Sequence, residues 1–227
     1  MRPSWLTAFL DLPADEYDAG VAFWRAVTGY DVSATRGEVD EFATFVPPTG
    51  HAYLRVQRLG SGEPGAHVDV HVAGQSFEVH RSPGGLPYCL VDGSESVRPA
   101  AITWPDGNRS VVDQVCLDIP PEAWDAECRF WAGLTGWELF DGGRPEFRRL
   151  RTPPGQPLNV LLQRLDSSGG QVRAHLDLSA DDRAAEIRRH EALGARVARA
   201  FEGWTVMAPP AGPAYCITGR VPFRDPT

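Results

Sequence analysis

The chain has 227 residues, 42% of them hydrophobic, which is enough for one large domain or two small ones with a packed core. Its 30 acidic residues outnumber its 22 basic ones, for a net charge of −8, and no run of Lys or Arg supplies the basic stripe that phosphate backbones demand. Nucleic acid is excluded as the expected partner.

Residues 1–13 hold one Arg and an apolar run broken by Asp11, too short and too interrupted for a signal peptide or a membrane span. Residues 6–12 alternate as a strand. Tyr17, Val21, Trp24 and Val27 then fall at helical spacing, and Gly29 suits the exit of that helix. Short runs at 42–46 and 52–58, separated by Pro47-Pro48-Thr49-Gly50, read as an antiparallel hairpin. His67, Asp69 and His71 alternate on the next strand and share a face, either as a metal or acid/base cluster or, more plainly, as a polar sheet face. Pro105-Asp106-Gly107-Asn108 is a turn and marks the expected linker between two domains.

From there the pattern repeats. Leu10-Asp11-Leu12-Pro13 faces Leu117-Asp118-Ile119-Pro120, Phe23-Trp24 faces Phe130-Trp131, and Thr28-Gly29-Tyr30 faces Thr135-Gly136-Trp137, all at an offset of 107 residues. With small shifts, Gln57-Arg58-Leu59 matches Gln163-Arg164-Leu165, His67-Val68-Asp69-Val70 matches His175-Leu176-Asp177-Leu178, and Tyr88-Cys89 matches Tyr215-Cys216. The order holds over most of both halves, so the chain is read as a tandem duplication. Only the second copy carries an Ala-, Glu- and Arg-rich stretch at 181–197, with Asp181-Asp182 to cap a helix and Gly194 to end it. The expected fold is therefore α+β: tandem βαβββ modules curled into two half-barrel domains, 1–104 and 111–221, the first lacking its second helix.

The succession Leu-Asp-Ile-Pro, Phe-Trp-Ala-Gly-Leu-Thr-Gly-Trp, His-Leu-Asp-Leu-Ser-Ala-Asp-Asp and Trp-Thr-Val-Met-Ala-Pro-Pro-Ala-Gly-Pro-Ala-Tyr-Cys resembles the glyoxalase-like branch of the glyoxalase/bleomycin-resistance/dioxygenase, or vicinal oxygen chelate, superfamily. The resemblance spans nearly the whole chain and is strongest over 111–220. It implies a cup-shaped sheet for a small molecule, but not a reaction, since relatives include lyases, isomerases, dioxygenases, thiol transferases and drug-sequestering proteins. Mapped onto the places of metal ligands in relatives, Gln114, Gln163 and His175 fill three, and the fourth, usually acidic, falls at or near Ala214. In the first half the same places hold Thr7, Gln57, His67 and Pro87. Two amides and one imidazole make a poor ion site, so no tightly bound metal is expected. The alternative is a divalent ion on Gln114, Gln163 and His175, completed by water or Asp177.

The resulting expectation is a protein that binds or converts a small organic molecule. His175 would be the acid/base group or polar anchor, beside Asp177 on the same face. Gln114 and Gln163 would orient the ligand, and Trp204 and Tyr215 would supply apolar contact, whereas Trp131, like its copy Trp24, belongs to a helix core stripe. The alternatives are a metal-dependent lyase or isomerase of glyoxalase type, and a sequestering resistance protein. Cys89, Cys116, Cys128 and Cys216 show no metal or disulfide spacing, so reduced, buried thiols in a cytoplasmic protein are expected, with Cys89 and Cys216 read as packing residues. The partner is a small molecule, with no membrane or nucleic acid, and a homodimer is the one macromolecular association left open.

Overall fold

The repeat folds into two sheets of matching order, described here from a computed structural model over residues 3–93 and 96–223; Met1 and Arg2 of the N-terminal run lie outside the described residues. The first half comprises β1 (Trp5–Pro13), α1 (Tyr17–Thr28), β2 (Asp31–Val32), β3 (Phe42–Val46), β4 (Leu54–Leu59), β5 (Gly65–His71), β6 (Glu78–Arg81) and β7 (Pro87–Val91). The second comprises β8 (Ile102–Thr103), β9 (Arg109–Ile119), α2 (Trp124–Thr135), β10 (Leu139–Asp141), β11 (Phe147–Leu150), β12 (Asn159–Arg164), β13 (Arg173–Ala180), α3 (Arg183–Ala192), β14 (Arg196–Ala200), β15 (Trp204–Ala208) and β16 (Tyr215–Thr218).

The strand orders are β2-β3-β4-β1-β5-β7-β6 and β10-β11-β12-β9-β13-β16-β15-β14. In each sheet a parallel pair flanks the opening strand (β4 on β1, β12 on β9), followed by an antiparallel step to β5 or β13 and a parallel step to β7 or β16. This is the α+β duplication expected, with the first copy short of more than a helix: it lacks counterparts of both α3 and β14. The Pro105–Asn108 turn joins β8 to β9 inside the second sheet, so it is a hairpin turn rather than a linker, and β8 sits with the second half although it precedes residue 104.

Alternation explains the layering. On β9, Val115, Leu117 and Ile119 enter the core while Gln114, Cys116 and Asp118 point to the other face; β13 sorts Ala174, Leu176 and Leu178 from His175 and Asp177 in the same way. The apolar faces of both sheets and the helices between them form one core. α1 buries Tyr17, Gly20, Phe23, Trp24 and Val27, and α2 buries Trp124, Cys128 and Trp131, both ending at glycines with φ of 66° and 69° (Gly29 and Gly136). α3 starts as expected, with the Asp182 carboxylate accepting from the Ala185 N–H at 2.9 Å.

Each first-module helix packs on the opposite half. Trp24 of α1 meets Tyr215 of β16 at 5.1 Å, and Trp131 of α2 meets Tyr88 of β7 at 5.5 Å. Polar contacts follow the same exchange: Glu127 on α2 accepts from the Gly84 N–H and from Trp131 Nε1, and Arg189 on α3 donates to the Ala26 and Val27 carbonyls at the end of α1. Among the described residues no helix is long and apolar enough to cross a membrane.

Candidate functional site

The polar face of the second sheet lines a cup of about 270 Å³. His175 on β13 stands at its floor. Its Nδ1 is 2.8 Å from Asp118 Oδ2 on β9, and its Nε2 is 3.2 Å from Asp177 Oδ1, without hydrogen-bonding alignment, and 3.6 Å from the Cys216 sulfur. Burial opposes a charge on this imidazole, but Cys116, Asp118 and Asp177 together outweigh it and raise its pKa above the ordinary value. Burial keeps the neighbouring thiols neutral, pushing Cys216 up to about 11 and Cys116 higher still.

Gln114 donates through Nε2 to Asp177 Oδ2, and the Gln163 amide oxygen receives the Cys116 thiol at 3.6 Å. Trp204 on β15 forms a wall with Phe147 at 5.6 Å and lies stacked on Phe201 at 4.5 Å. Gln163, His175, Trp204 and Cys216 also border a larger cleft of about 1080 Å³ between the halves, whose far wall is built by Asp11, Leu59, Glu63 and Leu86 of the first half.

Tyr215 does not present its side chain to the cup. Adjacent residues on a strand face opposite ways, and register pairs Cys216 with Asp177, so Cys216 takes the cup face and Tyr215 the core. There its hydroxyl meets His190 Nδ1 at 2.7 Å, while His190 Nε2 is 3.0 Å from Glu186. Cys216 and its copy Cys89 are buried free thiols, and each also sits beside a His–Asp cluster. Asp118 is the site residue sequence reasoning passed over. Its signal was available, since the Leu-Asp-hydrophobic-Pro repeat keeps a carboxylate at the same place in both halves.

The first half repeats the cluster and then fills its cup. His67 Nδ1 is 2.7 Å from Asp11 Oδ2, Phe9 stacks on the imidazole at 4.7 Å, and Arg55 lies over Phe9 at 5.7 Å. His71, grouped with His67 and Asp69 by alternation, meets the Thr7 hydroxyl at 2.8 Å, and burial lowers its pKa to about 4.

The places that the resemblance assigns to metal ligands are incompletely furnished: the Gln114 amide is turned to Asp177, and Ala214, at the usually acidic place, has no ligating atom. Carboxylates are not lacking, since the donor atoms of Cys116, Asp118 and His175 lie within 4.8 Å of one another, as do those of His175, Asp177 and Cys216.

The clamp makes a pH prediction. A folded-state pKa raised above the unfolded value, about 6.5, contributes stability that is complete below that value and fades as pH rises through the folded-state pKa. Asp118→Asn should therefore cost about 1.5–3 kcal/mol at pH 6, and the deficit should shrink as pH rises through the folded-state pKa of His175. Urea melts at several pH values, with the His175 proton titration followed by NMR, check this; a deficit independent of pH would contradict it.

A curled sheet of paired βαβββ modules with a polar cup defines the vicinal oxygen chelate class. The profile of the glyoxalase-like domain matches residues 7–82 and 114–218, and the chain belongs to that family. No curated protein matches. Among solved structures it resembles the Mn(II)-bound glyoxalase from Novosphingobium aromaticivorans (14% identity, TM-score 0.64, 96% of this chain and 82% of that one). It also resembles a 4-hydroxymandelate synthase mutant from Streptomyces coelicolor (14%, 0.62, 96% and 93%). A third is a 2,3-dioxygenase from Pseudomonas sp. KL28 (13%, 0.61, 96% and 91%). At these identities the likeness is one of fold.

Proposed function

We propose that the second-half cup binds a small organic molecule bearing an oxygen acceptor, such as a carbonyl, without a metal ion, and that His175 acts on it as a proton or hydrogen-bond donor. The His175 cluster carries this reading. Its Nδ1 is fixed on Asp118, which leaves Nε2 facing Asp177 and the weakly bonding Cys216 sulfur, where a ligand oxygen competes. Charge developing on a carbonyl oxygen at this position meets a preformed donor. Gln114 and Gln163 border the same space, and Trp204 receives a flat apolar surface. Four free, buried cysteines support a reducing, cytoplasmic setting.

Elemental analysis of protein purified without chelators, paired with calorimetric titration of Mn²⁺, Zn²⁺ and Ni²⁺, tests the metal-free reading. Less than a tenth of an equivalent bound, and no saturable titration, is expected. A stoichiometric ion that lowers the His175 proton signal favours the metal-dependent, glyoxalase-type alternative, for which the cluster of Cys116, Asp118 and His175 is the argument. Once a ligand is in hand, His175→Ala separates conversion from sequestration: turnover should fall by about 10²–10⁴-fold if the imidazole transfers a proton, whereas a pure holder loses only affinity.

A further inference from the structure

The cup contains a guanidinium that the fold leaves without a counter-ion. Arg149 on β11 lines the cavity, its Nε is sealed from water with no partner, and its side chain enters no ion pair or hydrogen bond among the described residues. The other arginines around the cup are committed: Arg144 lies 3.2 Å from Glu202 and Arg220 lies 2.6 Å from Asp113. The cup's own carboxylate, Asp177, is engaged by Gln114 and His175. A half-buried charge without a direct partner is costly unless a ligand supplies one; burial and the neighbouring Arg220 lower the Arg149 pKa, and the more distant Asp177 and Asp113 offset only part of this.

The first half gives an internal comparison. Phe42 opposes Gln57 as Phe147 opposes Gln163, so Thr44 occupies the place of Arg149 and Arg55 that of Leu161. Arg55 is paired with Asp69 at 3.8 Å and lies over Phe9. In the filled cup the guanidinium is neutralised from within; in the open cup it is not.

Register places the charge relative to His175. Arg149 opposes Leu161, Leu161 pairs with Cys116, and Cys116 opposes His175, so Arg149 and His175 end one four-strand row across the floor. Three strand steps cover about 14 Å of backbone, which the two side chains shorten to the span of a small molecule. Phe147, on the same face two residues before Arg149, meets Trp204 beside that path.

We propose that the cup selects an organic carboxylate: its anionic group pairs with Arg149, a second polar group meets the His175 imidazole at the other end of the row, and its flat apolar body lies against Trp204 and Phe147. This rests on the cup being the binding site. The test is calorimetric titration of wild type, Arg149→Met and His175→Ala with benzoylformate and 3-benzoylpropionate and with their primary amides, each variant first checked by thermal melting. Wild type should prefer acid to amide by at least about tenfold. Arg149→Met should erase that preference. An acid preference that survives Arg149→Met but collapses in His175→Ala overturns the carboxylate assignment and leaves the cup standing. Binding indifferent to both substitutions places the acids elsewhere and overturns the cup reading too, and absence of acid binding to wild type overturns the assignment.

Discussion

Trp24→Ala is expected to destabilise the whole molecule by about 3–5 kcal/mol and to lower its thermal midpoint by roughly 10 °C. The indole is fully buried and packs on Phe23 and on Tyr215, which belongs to the other half. Removing it opens a cavity between α1 and β16, where no neighbouring chain segment can collapse without disturbing both sheets. The loss should appear as one cooperative transition shifted downward, because the core is shared. Calorimetry decides the point: two resolved transitions, with the second half melting at its wild-type temperature, would refute the shared core.

Asp113→Ala should cost a similar amount, about 3–5 kcal/mol. The Asp113 carboxylate is fully buried and receives Arg220 Nη2 at 2.6 Å, the Ser179 hydroxyl at 2.8 Å and the Phe223 N–H at 3.1 Å. It occupies the register break between the Gln114–Asp177 and Val112–Leu178 pairs, where one extra residue on β9 turns its side chain away from the simple alternation. Truncation strands the Arg220 guanidinium and frees residues 219–223 from β9. Arg220 borders the cup, so ligand affinity should fall with stability. The double variant Asp113→Ala/Arg220→Ala should recover part of the loss, since it removes the orphaned charge as well. Urea denaturation of the three variants measures this, and full additivity of the two single effects would show that the pair is not coupled.

The fold was largely legible because a repeat needs only order, and the order of Leu-Asp-hydrophobic-Pro, Phe-Trp and Thr-Gly-aromatic survives in both copies. α3 was legible from its cap and its glycine. The site was less so, because it depends on register. Whether Tyr215 or Cys216 faces the cup is a question of parity relative to Asp177, and parity is set by pairing between β13 and β16, which lie about forty residues apart in sequence. Asp118 was passed over for a related reason. A search for the ligand places of relatives finds Ala214 and stops, whereas the carboxylates that matter approach His175 from its own strand and from the adjacent one. Arg149 gave no sequence signal at all, since an arginine on a short hairpin strand is ordinary and only the absence of a partner sets it apart. The buried His190–Glu186 pair is at least spaced to be seen, four apart on α3.

The exchange of α1 and α2 across the midline has an evolutionary consequence. Once each copy's tryptophan is seated against the other's tyrosine, neither copy can be inherited alone: a cut between residues 93 and 102 would yield two fragments with a raw aromatic surface each, prone to stick to one another or to themselves. The arrangement ties the copies into joint heredity, since each half's helix shelters the aromatic surface of the other.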